Sequence, residues 1–176
     1  MKRFSRSALK TGPVIVATLL LLCSPGMAAT DENKSININI TTHLGDSQSF
    51  VAGDVISFLV SLDRDAFIYL YYQDASGRVL QILPNSKQQD HFYQQGLFQP
   101  LPPAQAEFQF RVGPPFGDEQ LVLFASERRD IEIETVGAEA GFGRVKESLS
   151  DLQAQFKQPS SKLLGQARLA IKTRAR

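Results

Sequence analysis

The chain has 176 residues, of which 43% are hydrophobic, 21% charged and 9% aromatic, and its formal net charge is +1. That apolar content excludes a chain disordered as a whole, and so balanced a charge excludes nucleic-acid binding driven by bulk electrostatics. The length suits one domain whose core needs neither metal nor disulfide, while two His, one Cys and no Trp leave a thin inventory for catalysis.

Residues 1–28 read as a signal peptide. Lys2, Arg3, Arg6 and Lys10 form a basic start, and Val14 to Cys23 is a short apolar stretch centred on Leu19 to Leu22. Ser24-Pro25-Gly26 then breaks any helix before Ala28 and Ala29. The stretch is short for a bilayer span, so no stable membrane span is expected after cleavage. Cleavage after Ala28 places the small Gly26 at −3. Lipidation of Cys23 is the alternative, and Leu22 before it is bulky for such a signal. Cleavage removes four of the 19 basic residues and no acid, leaving 15 against 18 and a charge of −3. It also removes the single Cys, so the expectation is an exported, disulfide-free protein, periplasmic or secreted from a bacterium.

After a polar leader the period of the sequence is two. Residues 29–47 hold the leader and a first strand, in which Ile36, Ile38 and Ile40 alternate with Asn37 and Asn39. Val55 to Leu62 reads as a strand with Ile56, Phe58, Val60 and Leu62 on one face. Phe67 to Tyr72 is apolar on both faces and predicts a central strand. Asp74-Ala75-Ser76-Gly77 is a hairpin loop with Gly77 free to take positive φ, and Val79 to Leu83 returns beside it. Residues 86–106 are rich in Gln and Pro and read as a long connection with a short strand at Leu97 and Phe98. Further strands are expected at Phe108 to Val112, Leu121 to Ala125 and Ile131 to Ile133. Val145, Leu149, Leu152 and Phe156 fall at helical spacing, Pro159 ends that helix, and Leu169, Ile171 and Thr173 alternate with basic residues in a last strand. The expected fold is mainly β: an antiparallel β-sandwich of seven or eight strands with one C-terminal α-helix.

Phe50-x-Ala52-Gly53-Asp54, the run Asp63 to Tyr71, Asp74 to Val79, Leu83-Pro84-Asn85, Leu101-Pro102, the Phe108/Phe110 strand, Gly113-Pro114 and Glu119 to Ser126 together resemble the bacterial domain of unknown function 4384. The resemblance covers residues 48–126, and residues 127–176 read as a strand-helix-strand extension of the same domain. It implies a β-sandwich module of exported bacterial proteins, also found beside peptidase-like and kinase-like domains, and it implies no activity.

No hydrolytic machinery is assembled by the sequence. His43 and His91 are the only candidate bases, no Gly-x-Ser-x-Gly elbow is present, and both histidines read as surface residues. Asp54, Asp63, Asp65 and Asp74 each stand where a turn needs an Asp, and no calcium-loop spacing or distinguished glycosidase pair appears. No catalytic residue, metal or cofactor is therefore expected. Tyr71, Tyr72, His91, Phe92 and Tyr93 could present a stacking surface for a sugar or peptide, or could pin the long loop to the sandwich. The tail from Lys157 to Arg176 carries Lys157, Lys162, Arg168, Lys172, Arg174 and Arg176 without an acid. Arg168, Lys172 and Arg174 share one strand face, which serves either edge protection or contact with an anionic lipid, glycan or acidic partner. The functional expectation is a non-enzymatic envelope interaction module for a protein partner, such as a component of a surface or secretion assembly, with cell-wall glycan binding as the alternative.

Overall fold

The computed structural model describes residues 35–45, 49–139 and 141–176, which belong to one compact unit. The signal-peptide expectation, Cys23 included, lies outside the described residues. The first part of the chain supplies β1 (Ile38–Thr42), β2 (Ser49–Val51), β3 (Val55–Ile56), β4 (Phe58–Leu62), β5 (Ala66–Gln73) and β6 (Val79–Leu83). The long connection contributes β7 (Phe92–Tyr93) and β8 (Gly96–Leu101), followed by β9 (Phe110–Arg111) and β10 (Asp118–Ser126). The hairpin β11 (Thr135–Glu139) and β12 (Phe142–Val145) leads to the helix α1 (Leu149–Phe156), a 3-10 turn at Pro159–Ser161 and the long β13 (Leu163–Arg174).

The protein is mainly β with a helix near the C-terminus, as expected, and the strands divide into a large and a small layer. The large sheet runs β11-β12-β6-β5-β10-β13-β2, with β7 added beside β5, and the small one runs β1-β4-β8. Pairing is antiparallel except where β2 lies parallel to Lys172–Arg174 of β13. Strands are more numerous than seven or eight because several are only two or three residues long.

Strict alternation explains the main core. Ile40, Phe58, Val60, Leu62 and Leu101 of the small sheet meet Ile68, Leu70, Leu121, Leu123, Leu169 and Ile171 of the large one. The other face of the large sheet, carrying Tyr69, Tyr71, Val122 and Phe124, is covered by Leu149, Leu152 and Phe156 of α1. Phe156 stacks on Phe124 with ring centroids 4.2 Å apart and planes 4° from parallel. β5 is thus buried on both faces, as its unbroken apolar run requires. Ser148 begins α1 with a capping box, its hydroxyl accepting from the Asp151 N–H while the Asp151 carboxylate accepts from the Ser148 N–H. No helix among the described residues is long and apolar enough to cross a membrane.

Several elements differ from the sequence reading. The Val55 to Leu62 strand is interrupted at Ser57, whose carbonyl accepts from the His43 N–H and whose N–H donates to the His43 ring. The two halves consequently join different sheets, β3 pairing with β9 and β4 with β1 and β8. Ile131 and Ile133 form no strand: the Tyr69 hydroxyl donates to the Arg128 carbonyl and accepts from the Ile131 N–H, tying down an irregular connection whose two isoleucines pack against the helix layer. Val145 belongs to β12 rather than to the helix, although its side chain joins the same cluster.

Candidate functional site

The two sheets do not close fully on each other at the end bounded by the start of β10. A cavity of about 740 Å³ opens there, walled by Ile56, Phe58, Leu80, Ile82, Leu121 and Ile171. Its mouth carries Phe108, Phe110 and Phe142, which pack together, Phe108 edge-on to both others and Phe110 stacked against Phe142. Lys87, Glu107 and Arg111 also line it. The Lys87 ammonium lies 3.5 Å from the Glu107 carbonyl and the Arg111 guanidinium donates to the Gly53 carbonyl at 2.9 Å, so both basic heads are turned to backbone oxygens.

One carboxylate stands among these apolar walls. Glu119 is the inward residue of β10 next before Leu121, Leu123 and Ala125, so the alternation that builds the core also buries it, to 5% exposure. The Thr173 hydroxyl donates to its Oε1 at 2.7 Å, and the Tyr72 phenol is its electrostatic neighbour. Burial pushes the Glu119 carboxyl above its ordinary range and nearby Asp74 adds to the rise, with the Tyr72 and Thr173 hydroxyls acting in the opposite sense. Burial likewise raises the Tyr72 phenol, and Glu119 beside it raises it further.

The residues expected to form an aromatic site are divided by the pleat. Tyr71 is fully buried under α1, whereas Tyr72 points into the main core beside Glu119. His91 is buried rather than on the surface: its ring lies 4.9 Å from that of Tyr69 and 5.4 Å from that of Phe67, and Nδ1 meets the Gln89 carbonyl at 2.9 Å. Tyr93 is also buried, and Phe92, half-exposed, leans on Phe67. His91 and Tyr93 therefore pin the long connection to the large sheet. His43 is exposed and occupied with Ser57.

The four turn aspartates serve backbone. Asp54 accepts from the Val51 N–H, Asp63 from Asn37 and Asp65 from the Gln95 N–H. In the hairpin loop Asp74 accepts from both N–H and hydroxyl of Ser76 and from the backbone and guanidinium of Arg78, and Gly77 takes φ +86°. Among the described residues no three His, Cys, Asp or Glu side chains gather as metal ligands.

Arg168, Lys172 and Arg174 do share an exposed face, with Leu169 and Ile171 turned inward. Lys172 reaches Asp118 at 3.4 Å. Bare-edge protection does not describe Lys172 and Arg174, because β2 pairs along that stretch.

A second feature lies in the long connection. β8 is the last strand of the small sheet, and between Val60 and Leu62 its register against β4 slips by one residue. At this bulge Leu97 and Phe98 stand 77% and 62% exposed, and Phe98 takes φ +55°. A bulky residue in the left-handed region is under strain. The Phe98 N–H donates to the Ser61 hydroxyl at 3.0 Å, which anchors the distorted backbone.

Residues 49–129 match the family described as Domain of unknown function (DUF4384), and this segment of the chain belongs to it. No curated protein and no solved structure matches the chain.

Proposed function

We propose that the protein is a non-enzymatic interaction module of the bacterial envelope, and that an extended segment of a protein partner adds to the free edge of β8. The observation that carries this reading is the pair Leu97 and Phe98, apolar, exposed and held on a strained bulge of an edge that no other strand among the described residues pairs. Exposed edges are normally guarded by charge or proline. β8 carries no charged residue, and Pro100, which lacks an N–H, guards only its distal end. Gly96 to Gln99 is left as the length along which backbone pairing and two apolar side chains can act together. The basic start and leucine-rich stretch of residues 1–28 support the envelope setting.

The test is affinity capture from envelope extracts with the wild-type chain and with Leu97→Ser and Phe98→Gly. Glycine relieves the left-handed strain, so Phe98→Gly keeps or raises the thermal midpoint while removing the ring. The expected outcome is a stoichiometric protein partner retained by the wild type and lost from both variants. Undiminished capture by Phe98→Gly and Leu97→Ser refutes the edge, and retention on peptidoglycan with no protein partner favours the glycan alternative.

A further inference from the structure

We propose that the cavity between the two sheets is a binding site for a small amphipathic cation, a primary ammonium on an unbranched apolar chain, with Glu119 as its counter-ion. The volume of about 740 Å³ falls in the range of small-molecule sites, and the walls are aliphatic and aromatic, which suits an alkyl body. A purely apolar ligand would leave the carboxylate of Glu119 facing hydrocarbon. An anionic ligand would meet it as a like charge.

The carboxylate has room for a further donor. The Thr173 hydroxyl donates to it and the Tyr72 phenol stands beside it, whereas a carboxylate offers about four lone-pair sites. No basic side chain forms an ion pair with Glu119 among the described residues, and Lys87 and Arg111 at the mouth face the carbonyls of Glu107 and Gly53. The desolvation of the carboxylate is already present in the fold, since burial holds its proton more tightly than usual. An arriving ammonium therefore relieves an existing unfavourable state, and its own desolvation is the electrostatic cost that remains.

The site shares no side chain with the β8 edge, so it stands or falls separately from the proposed function. The test is calorimetric titration of the full chain with octylammonium, octanol and octanoate. Octylammonium is expected to bind at least tenfold more tightly than either other probe at pH 7.5, and more weakly as the pH falls and Glu119 takes up a proton. Glu119→Gln should weaken octylammonium about tenfold and leave octanol unchanged. Methyl resonances of Leu80, Ile82 and Ile171 should shift on addition of octylammonium to the wild type, a measurement that does not depend on the variant folding. Octanoate binding as tightly as octylammonium, octylammonium binding unaltered in a folded Glu119→Gln, no binding of any alkyl probe, or methyl shifts confined to other residues would each overturn the proposal.

Discussion

β13 offers a direct test of how alternation assigns energy. Leu169 and Ile171 are each 4% exposed in the main core, whereas Arg168, Lys172 and Arg174 project from the other face of the same strand. Truncating a buried Leu or Ile to Ala costs roughly 2–5 kcal/mol, because transfer energy is lost and a void remains. Leu169 lies directly opposite Leu121 in the β10 ladder and belongs in the upper part of that range. Ile171 already borders the cavity on one side, has fewer packing partners to lose there, and belongs in the lower part. Replacing the three basic residues together removes one ion pair, Lys172 with Asp118, whose side chains are 73% and 86% exposed. Exposed pairs contribute about 1 kcal/mol at most. Urea denaturation separates these outcomes: with a slope of about 1.5 kcal/mol per molar, a loss of about 3 kcal/mol lowers the midpoint by about 2 M. Leu169→Ala should show a shift of that order, Ile171→Ala a smaller one and the charge variant almost none. Equal shifts for Leu169→Ala and the charge variant would refute the facing of β13.

Two further outcomes are expected. The stability of the fold should depend on pH through two carboxyls of opposite sign. Burial raises Asp74, but the hydrogen bonds from Ser76 and Arg78 outweigh it and leave its carboxyl below the ordinary range, so its contribution is present above about pH 3.9 and is lost as the pH falls through its native value. Glu119 is raised, so its contribution is present below about pH 4.3 and is lost as the pH rises through its native value; urea midpoints across pH should show Asp74→Asn flattening the acid side and Glu119→Gln the other. Gly165→Ala should lower the thermal midpoint clearly, because a Cβ there would stand 2.9 Å from the Ile36 carbonyl oxygen and 3.1 Å from the side chains of Ile36 and Ile38, and backbone cannot step aside as a flexible side chain can.

The parts of this fold legible in the sequence are those where one local rule acts alone. Phe67 to Tyr72 shows its central place by being apolar on both faces, the Asp74 to Gly77 loop by its turn residues, and the second half of β13 by the alternation of Leu169, Ile171 and Thr173 with exposed residues. Legibility fails where a distant residue decides. Nothing near Ser57 announces that His43 will capture its backbone and split the strand there. The β11–β12 hairpin is hidden because Gly137, Ala138, Gly141 and Gly143 give no strand signal, although Gly143 has no room for a side chain against Thr135. The stacking surface fails as a unit for a reason visible in the period of two: Tyr71 and Tyr72 are neighbours and must face opposite ways. The same rule carried two residues back from Leu121 places Glu119 inside, a signal available in the sequence but masked by the habit of reading Glu as surface. The cavity itself depends on β9, β10, β12 and β13 meeting, which no window of sequence contains.

Residues 130–176 complete the domain that the family match outlines. Within 49–129 alone, β10 would be the edge of its sheet, with the whole ladder now filled by β13 left open. Tyr69, Tyr71, Val122 and Phe124 would form an uncovered aromatic face, since Leu149, Leu152 and Phe156 are what bury it. Burying side chains of this size supplies about 1.5–3 kcal/mol each, a large part of the net stability of a small domain. The two candidate sites follow the same division. Glu119 and Tyr72 come from the family segment, but Thr173, which orients the carboxylate, and Ile171 and Phe142, which wall the cavity, come from the extension. Leu97 and Phe98 lie wholly within 49–129. The β8 edge is therefore a feature that residues 49–129 carry by themselves, whereas the cavity beside Glu119 takes part of its wall from β12 and β13 of the extension.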